Sequence, residues 1–197
     1  FEVAADVTLT MREYVEYAAE AEADYPYYLV ERRFEGPRAA LLQDYAQPSL
    51  FADDLLASVP GSKRARYWLV GGERSGTGLH VDPLCSAAWN YCACGRKLWA
   101  FLPPDTTPLQ QAGLRTRAQG GERRPAVWFR DELEAAASLP GYQLCLQQAG
   151  DLLYIPSGWH HAVLNLEFSV AISQAPDSAQ NIRHRHHQPS SPLSLLR

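Results

Sequence analysis

GDLLYIPSGWHHAVLNL, residues 150–166, and RSGTGLHVDP, residues 74–83, are the two stretches that decide the fold of this 197-residue chain. In each of them, a short run of apolar or alternating residues is bounded by glycine and proline. Such runs between turn residues are typical of short β-strands. Several units of this kind in one chain predict an antiparallel sandwich or barrel.

The same pattern extends through most of the chain on both sides of these stretches. A turn at residues 94–96 predicts a compact hairpin between two of the strands. A barrel built from such strands has a mouth where polar side chains converge, so we expect the chemistry there. The strand patterns occupy residues 67–70, 79–83, 86–92, 97–102, 142–147, 152–155, 162–166 and 169–173.

The first part of the chain has a helical pattern instead. Residues 7–24 predict a helix in which Thr10 is the N-cap and Glu13 completes a capping box. Aromatic and β-branched residues then predict an extended segment over residues 25–30. Two short helical pieces are predicted further on, at residues 41–45 and 50–56.

Three regions follow from these patterns. Within the strand region, residues 103–140 are polar and contain proline, which predicts an irregular insertion with an exposed loop at 119–124 and a short helix at 131–137. The C-terminal residues have little apolar surface to bury and predict a mobile tail. The regions are N-terminal helices and a first strand packing on the barrel at 1–66, a β core at 67–174 and the tail at 175–197.

Composition and charge narrow the class of partner. The net charge is −4 and the sequence pI is about 5.9, so no global basic field attracts nucleic acid. A short basic run at residues 183–187 leaves a weak nucleic-acid contact or a nuclear signal as alternatives to a solvated tail. No stretch approaches the roughly 20 apolar residues of a membrane span, so no membrane partner is expected.

The number and spacing of the cysteines indicate whether the protein works in a reducing or an oxidising compartment. The spacing of Cys92 and Cys94 in a strand resembles half of a metal site, but no second paired cluster accompanies it. Buried free thiols are therefore the preferred interpretation of the four cysteines. A reducing compartment, nuclear or cytoplasmic, is the resulting expectation.

A candidate metal site begins at His80 and Asp82. In a strand, residues two apart project to one face, so both side chains can reach one ion. His160 and His161 offer a third ligand, but alternation puts them on opposite faces and does not say which face looks inward. Two histidines and one carboxylate leave three positions open, which suits Fe(II) with a bidentate co-substrate and dioxygen. Zinc hydrolases use the same ligand types, so the triad alone leaves the reaction open.

The two opening stretches, with residues 86–90, 95–99 and 171–174, resemble the motifs of JmjC-domain oxygenases. The resemblance covers residues 10–175 and is strongest to the lysyl hydroxylase and proposed arginine demethylase branch of that family. It implies a mainly β fold, the double-stranded β-helix of cupin or jelly-roll barrels, with N-terminal helical elements. This agrees with the antiparallel barrel predicted from the strand pattern.

The resemblance also assigns roles within the site. It implies that the third metal ligand is His161, with Asn165 a polar residue near the metal. The implied cofactors are Fe(II), 2-oxoglutarate as co-substrate and dioxygen. Lys97 would bind the distal carboxylate of 2-oxoglutarate, for which a compact cation is suited. The family positions that hydrogen-bond 2-oxoglutarate fall on Tyr28, Thr77, Asn90 and Ser173.

The implied activity is hydroxylation of a protein side chain, either as lysine hydroxylation or as the first step of N-methyl-arginine or N-methyl-lysine demethylation. Two alternatives remain, a catalytically silent JmjC-like binding module and a cupin-type metal hydrolase. The chain departs from its relatives at residues 110–140, a segment of the kind that frames substrate entry, and in its short tail. Substrate identity and oligomeric state therefore stay open.

Overall fold

The computed structural model describes residues 7–52 and 66–175, together with the backbone of residues 2–4. Within these residues the strands are β1 (Glu2–Ala4), β2 (Val7–Thr8), β3 (Tyr28–Glu31), β4 (Arg66–Gly71), β5 (Gly76–His80), β6 (Ala88–Cys94), β7 (Arg96–Leu102), β8 (Gln143–Gln148), β9 (Leu152–Ile155), β10 (His160–Asn165) and β11 (Ser169–Gln174). The α-helices are α1 (Met11–Glu20), α2 (Thr107–Gln111), α3 (Pro125–Asp131) and α4 (Leu133–Ala137). Short 3₁₀ segments span Gly36–Gln43, Ser49–Phe51, Pro83–Cys85 and Arg117–Gln119.

Two antiparallel sheets form the body of the molecule. One has the order β3-β4-β11-β6-β9 and the other the order β5-β10-β7-β8, while β1 and β2 pair separately. From β4 to β7, and again from β8 to β11, successive strands alternate between the two sheets. This alternation is the double-stranded β-helix, so the predicted fold class is confirmed.

The turn at Gly95 does not make the predicted hairpin. β6 pairs with β11 and β9, whereas β7 pairs with β10 and β8, so the chain crosses from one sheet to the other between Cys94 and Arg96. A glycine between two strands gives the same local sequence pattern whether the strands form a hairpin or the chain crosses to the other sheet. The strands that pair with β6 and β7 come more than 40 residues later in the sequence, beyond the range of a local sequence pattern.

The space between the sheets holds an apolar cluster next to the site. Ala88 and Ile155 of the five-stranded sheet pack against Trp99, Phe101 and Val163 of the four-stranded sheet. The rings of Trp99 and Phe101 stack with centroids 5.6 Å apart. This cluster closes the interior beside the candidate metal ligands.

Helix α1 begins where the capping box predicts. The Thr10 side chain accepts from the Glu13 backbone N–H at 3.2 Å, and the Glu13 carboxylate accepts from the Thr10 N–H at 2.7 Å. The helix is shorter than the predicted 7–24, because Val7–Thr8 pair as a strand and the backbone is extended at the C-cap, Ala21. Tyr14 fixes α1 to the sheet by donating its hydroxyl to the Val70 carbonyl of β4 at 2.8 Å.

The insertion at 103–140 is more ordered than its composition indicates. The predicted helix at 131–137 is present as α4, but α2 and α3 were not predicted. Val127, Trp128 and Phe129 of α3 are buried against the outer face of β5 and β10. Their burial explains why a segment of seven residues is helical, since tertiary packing rather than propensity stabilises short helices.

Of the remaining sequence predictions, some fall on described residues and others lie wholly or partly outside them. The extended segment at 25–30 corresponds to β3, and the helical piece at 41–45 overlaps the 3₁₀ segment Gly36–Gln43. The piece at 50–56 is seen only as far as residue 52. Residues 176–197, which include the basic run at 183–187 and nearly all of the predicted tail, are not among those described.

The four cysteines form no disulfide in the described structure, and only one of them is buried. Cys92 is fully buried, Cys94 is exposed, and Cys85 and Cys145 are intermediate. The register between β6 and β11 shifts beside these residues, which breaks the alternation that would put Cys92 and Cys94 on one face. Among the described residues, no helix has the length and apolar character that a membrane crossing requires.

Candidate active site

His80 and Asp82 reach the site from the end of a strand rather than from within one. β5 ends at His80, and Asp82 is the residue before the 3₁₀ segment Pro83–Cys85. The Asp82 backbone is extended, with φ −59° and ψ 150°, so the predicted convergence of the two side chains holds without strand pairing at residue 82. The prediction of a strand over 79–83 is wrong beyond His80, because Pro83 lacks the N–H that a ladder needs.

The turn after Asp82 ties the two metal motifs together. Leu84 and Cys85 both have positive φ, 58° and 52°, a conformation that costs L-residues roughly 1–2 kcal/mol each. The Cys85 carbonyl accepts from the Ser157 hydroxyl at 2.6 Å and from the Gly158 N–H at 3.1 Å. The loop before β10 therefore holds the turn that carries Asp82.

Pairing between β5 and β10 settles which histidine faces the site. His161 lies directly opposite His80 in the antiparallel register, and their ring centroids are 4.2 Å apart. His160 turns to the other face, where its Nδ1 lies 3.0 Å from the Pro103 carbonyl oxygen. The outer face is occupied by the packed insertion, so the inward face of β10 is the one that carries His161.

The three side chains form a compact donor set. Asp82 Oδ1 lies 3.7 Å from His80 Nε2 and 3.8 Å from His161 Nε2, and one ligand atom from each residue falls within 4.8 Å of the others. The Nδ1 atom of His80 lies 3.0 Å from the Gly78 carbonyl, and that of His161 lies 3.2 Å from the Trp159 carbonyl. A carbonyl oxygen can only accept a hydrogen bond, so each ring carries its proton on Nδ1. The Nε2 lone pair of each ring is therefore available to a metal.

Burial controls the protonation of this triad. It lowers the pKa of His80 to about 3, with a further lowering from His161, and it lowers the pKa of His161 to about 4. Burial raises the pKa of Asp82, against an opposing effect of His80. Both imidazoles are therefore neutral ligands at neutral pH, and a cation would compensate the buried carboxylate.

A cavity of about 550 Å³ opens beside the triad between the two sheets. Its walls come from both sheets and include apolar side chains such as Leu69, Ile155 and Val163. The structure brings all of the residues expected to bind 2-oxoglutarate into this one cavity. They are Tyr28 from β3, Thr77 from β5, Asn90 from β6, Lys97 from β7 and Ser173 from β11.

Lys97 is fully buried, and it lines this cavity. Its Nζ donates to Asn165 Oδ1 at 2.6 Å and lies 3.4 Å from the Tyr28 hydroxyl. Among the described residues, no carboxylate lies within 4.0 Å of the ammonium group. Burial lowers the Lys97 pKa from its ordinary 10.5 to about 8. A buried cation without a counter-ion is costly, and an entering carboxylate would compensate it.

Asn165 lies beside Lys97, behind the residues that line the cavity. It lies opposite Lys97 in the β10–β7 register and four residues along β10 from His161. Its Nδ2 donates to the Ser75 hydroxyl at 2.8 Å, and Ser75 in turn donates to the Gly72 carbonyl at 2.6 Å. This chain of hydrogen bonds orients the Asn165 amide so that its oxygen faces the ammonium group.

Asn90 and Ser173 are held by partners outside the cavity. Gln147, which is fully buried on β8, donates to the Asn90 backbone carbonyl at 2.9 Å and to Asn90 Oδ1 at 3.2 Å. The Gln147 oxygen accepts from Trp99 Nε1 at 2.9 Å. Because Asn90 Oδ1 is engaged, its Nδ2 is the atom available to donate into the cavity. Ser173 donates to the Trp89 carbonyl at 3.0 Å, which leaves its oxygen free to accept.

Three residues of the site were missed by the sequence analysis. Ser75 and Gln147 orient Asn165 and Asn90, and Arg117 lines the cavity from the insertion. Gln147 could have been noticed as a polar residue in an apolar strand pattern. Arg117 carries no local signal, because only the folding of the insertion over β5 brings it to the site.

A family model described as "Cupin-like domain" matches residues 1–174. The chain is 33% identical over 177 residues to the lysine-specific demethylase JMJ21 of Arabidopsis thaliana, covering 85% of this chain and 18% of that protein. It is 30% identical over 187 residues to the bifunctional arginine demethylase and lysyl-hydroxylase psr-1 of Caenorhabditis elegans, covering 89% and 46%.

A third relative is the human 2-oxoglutarate and iron-dependent oxygenase JMJD4, which is 33% identical over 112 residues. The match covers 55% of this chain and 25% of the human protein. In each of these three cases the chain spans less than half the length of the relative. The expected resemblance is confirmed, and the chain belongs to the cupin-like JmjC domain family.

Proposed function

We propose that this domain is an Fe(II)- and 2-oxoglutarate-dependent oxygenase that hydroxylates a protein side chain. One observation carries the proposal: the cavity that holds the His80–Asp82–His161 triad is also lined by a buried ammonium, that of Lys97, which has no carboxylate partner among the described residues. A metal site alone is compatible with several reactions. The unpaired cation adds a requirement for an anionic co-substrate.

The donor set fits the proposed metal. Two neutral imidazole nitrogens and one carboxylate oxygen on one side of an ion are the ligands of non-haem Fe(II) oxygenases. His80 and Asp82 would hold the ion from the end of β5, and His161 from β10. When bound, Fe(II) with 2-oxoglutarate and dioxygen supplies the oxidation of an unactivated C–H bond.

The residues of the cavity would bind and orient the co-substrate. The Lys97 ammonium would pair with the distal carboxylate, and the Tyr28 hydroxyl beside it would donate a second hydrogen bond. Thr77 would donate to the co-substrate from the four-stranded sheet and Asn90 from the five-stranded sheet, where Ser173 lies directly opposite Asn90 in the β6–β11 register. The apolar wall formed by Trp99, Ile155 and Val163 would exclude water from the reacting end.

A protein substrate is proposed because the relatives are named for acting on lysine and arginine. Lysine hydroxylation and N-demethylation share the same first step. The protein parts needed for that step, metal ligands and co-substrate contacts, are the same in both. We therefore propose the shared reaction, hydroxylation of a side-chain carbon.

Titration with 2-oxoglutarate tests the proposal. The Fe(II)-loaded protein should bind 2-oxoglutarate and, when dioxygen and ascorbate as the reductant are supplied, form succinate, whereas His80→Ala and Asp82→Ala should lose metal and turnover together. His160→Gln is the matched control, because His160 faces away from the cavity and should leave both intact. Binding without succinate formation would favour a silent binding module. Metal binding without 2-oxoglutarate binding would favour a metal hydrolase, and either result would overturn the proposal.

A further inference from the structure

Two arginines line the cavity without a carboxylate partner. Arg32 follows β3, and Arg117 comes from the insertion. Among the described residues, neither guanidinium has a carboxylate within 4.0 Å. We propose that they bind acidic residues of the substrate polypeptide, so that the target side chain is flanked by Asp or Glu. This inference rests on the proposed function, because it names the substrate class of the same site.

Arg117 is held in place by its own loop. Thr116 and Gln119 form a capping box around the 3₁₀ turn, with the Thr116 N–H donating to Gln119 Oε1 at 3.0 Å. The loop packs directly on β5, where a Cβ on Gly78 would lie 2.1 Å from the Glu122 carbonyl oxygen. Arg117 Nε is shielded from solvent and makes no hydrogen bond within the described structure. The Arg117 side chain is only half-buried and lines the cavity, so a substrate carboxylate would bind the guanidinium from the cavity side.

Arg32 is exposed, and the nearest acidic neighbour in sequence is engaged elsewhere. Glu31 is buried and forms an ion pair with Arg38. Arg32 and Asp82 line the same cavity, so the Arg32 guanidinium can act on a ligand that enters there.

The charges of the cavity lining determine what can enter. Among the described residues of the lining, Arg32, Lys97 and Arg117 are cationic and Asp82 is the one carboxylate, which gives a net charge of +2 with neutral histidines. Fe(II) and doubly ionised 2-oxoglutarate cancel each other, so the loaded site keeps this charge. A cationic target side chain is repelled on entry unless neighbouring residues of the substrate are acidic. Two Arg–carboxylate pairs supply that compensation with bidentate geometry.

A nucleic-acid phosphate is the other oxyanion that two arginines could bind. The whole chain has a net charge of −4, and an extended basic track is what a nucleic-acid backbone requires. Two arginines at one cavity satisfy a pair of substrate carboxylates but not a polymer of phosphates. An acidic peptide is therefore the partner that the charge distribution favours.

Peptide binding to the Fe(II)- and 2-oxoglutarate-loaded protein under anaerobic conditions tests the inference. The probes are short fluorescent peptides with a central lysine flanked by glutamate, glutamine or lysine. The glutamate-flanked peptide should bind roughly tenfold more tightly than the lysine-flanked one, and this ratio should shrink as salt is raised. Arg32→Glu and Arg117→Glu should each invert the ratio, whereas Arg117→Lys, which retains the charge, should preserve its direction.

The matched control is Arg115→Glu, an exposed arginine of the same loop that does not line the cavity, and it should leave the ratio unchanged. Because the ratio is taken within one protein, a general loss of stability does not alter it. Equal binding of all three peptides, or tight competition by an oligonucleotide, overturns the inference. If 2-oxoglutarate itself fails to bind the wild-type protein, the proposed function has failed instead.

Discussion

Lys97 is the residue whose surroundings say most about function. Lysine is among the side chains least often buried, yet this one is fully enclosed on a strand that is covered on both faces. Its partners, Asn165 and Tyr28, are neutral. The uncompensated charge of Lys97 therefore lowers the folding stability of the ligand-free protein, and a ligand carboxylate would compensate this charge. This arrangement leads to a stability prediction.

Lys97→Met should stabilise the ligand-free protein by about 1–2 kcal/mol at neutral pH. The lowering of the pKa from 10.5 to about 8 corresponds to roughly 3 kcal/mol of unfavourable charge burial. Methionine retains most of the side-chain volume. The loss of the hydrogen bond to Asn165 offsets about 1 kcal/mol of the gain in stability. Urea unfolding of both proteins measures the difference, and 2-oxoglutarate affinity should be lost in the variant. A less stable variant would contradict this account of Lys97.

The same residue predicts a pH dependence. Lys97 releases its proton near pH 8 in the folded protein and near 10.5 in the unfolded chain. Between these values the unfolded state binds more protons, so the contribution of Lys97 to stability rises with pH. The advantage of Lys97→Met should be largest below pH 8 and fall towards pH 10.5. Burial raises the pKa of Tyr28 well above this range, and the pKa of Cys92 changes only by losing the lowering effect of Lys97, so the difference between the two unfolding curves reports chiefly on Lys97. A constant difference would count against the prediction.

Gly71 has no side chain, and this leaves room for the hydrogen-bond network of Ser75, Asn165 and Lys97. A Cβ there would lie 2.1 Å from Ser75 Oγ and 2.6 Å from both Asn165 Nδ2 and Tyr28 Cδ2. Gly71→Ala should therefore displace the groups around Lys97, at a cost of about 1–3 kcal/mol in unfolding free energy, and should weaken 2-oxoglutarate binding. Gly113→Ala is the control, since its Cβ meets nothing within 4 Å and only its positive φ is unfavourable. It should lose some stability but retain full 2-oxoglutarate affinity.

At the residue scale, the sequence predicts which residues form the site better than it predicts which residues contact one another. The spacing of His80 and Asp82 was sufficient to bring them together, whereas alternation left His160 and His161 equivalent. The structure separates those two because the insertion covers one face of β10. Gln147 and Arg117 escaped prediction because their roles depend on strand pairing and loop packing, which are long-range properties.

At the scale of elements, the crossover at Gly95 shows where local reasoning ends. Two strands joined by a glycine turn predict a hairpin, and nearly every strand boundary around it was close to correct. The pairing was wrong because β11 and β10 arrive later and insert beside β6 and β7. In a double-stranded helix the partners of a strand are set by the whole chain, so element positions are predictable when their neighbours are not.

The turn that carries Asp82 offers a test at this scale. Ser157→Ala removes the hydroxyl that donates to the Cys85 carbonyl, leaving the Gly158 N–H as the other donor to it. We expect a loss of about 1 kcal/mol in stability and a several-fold weaker affinity for Co(II), a spectroscopic probe of the Fe(II) site. Ser138→Ala, which removes an exposed hydroxyl bonded to the Glu134 carbonyl, is the control. Equal Co(II) affinity in both variants would show that the turn does not position Asp82.

On the scale of the whole molecule, the cavity depends on the closure of two sheets. The metal ligands come from the end of β5 and from β10, and the residues expected to bind 2-oxoglutarate come from strands of both sheets. Lys97 and His161 stand on adjacent strands, separated by four residues of register, or roughly 13 Å along the strand. β5, β10 and β7 belong to the four-stranded sheet, so a ligand that bridges the metal and Lys97 would lie along that sheet. Its contacts with Tyr28, Asn90 and Ser173 would couple it to the five-stranded sheet.

Ligand binding should consequently raise the stability of the whole domain. A ligand at about 100 times its Kd adds about 2.7 kcal/mol to the folded state, which for a domain of this size corresponds to roughly 5–10 °C in Tm. Mn(II) alone should give part of this increase, and Mn(II) with 2-oxoglutarate should give more. Asp82→Ala should lose both increments. Lys97→Met should keep the metal increment and lose only that of 2-oxoglutarate, because its substitution leaves the triad intact. Loss of both increments in Lys97→Met would mean that the two ends of the cavity are not separate binding sites.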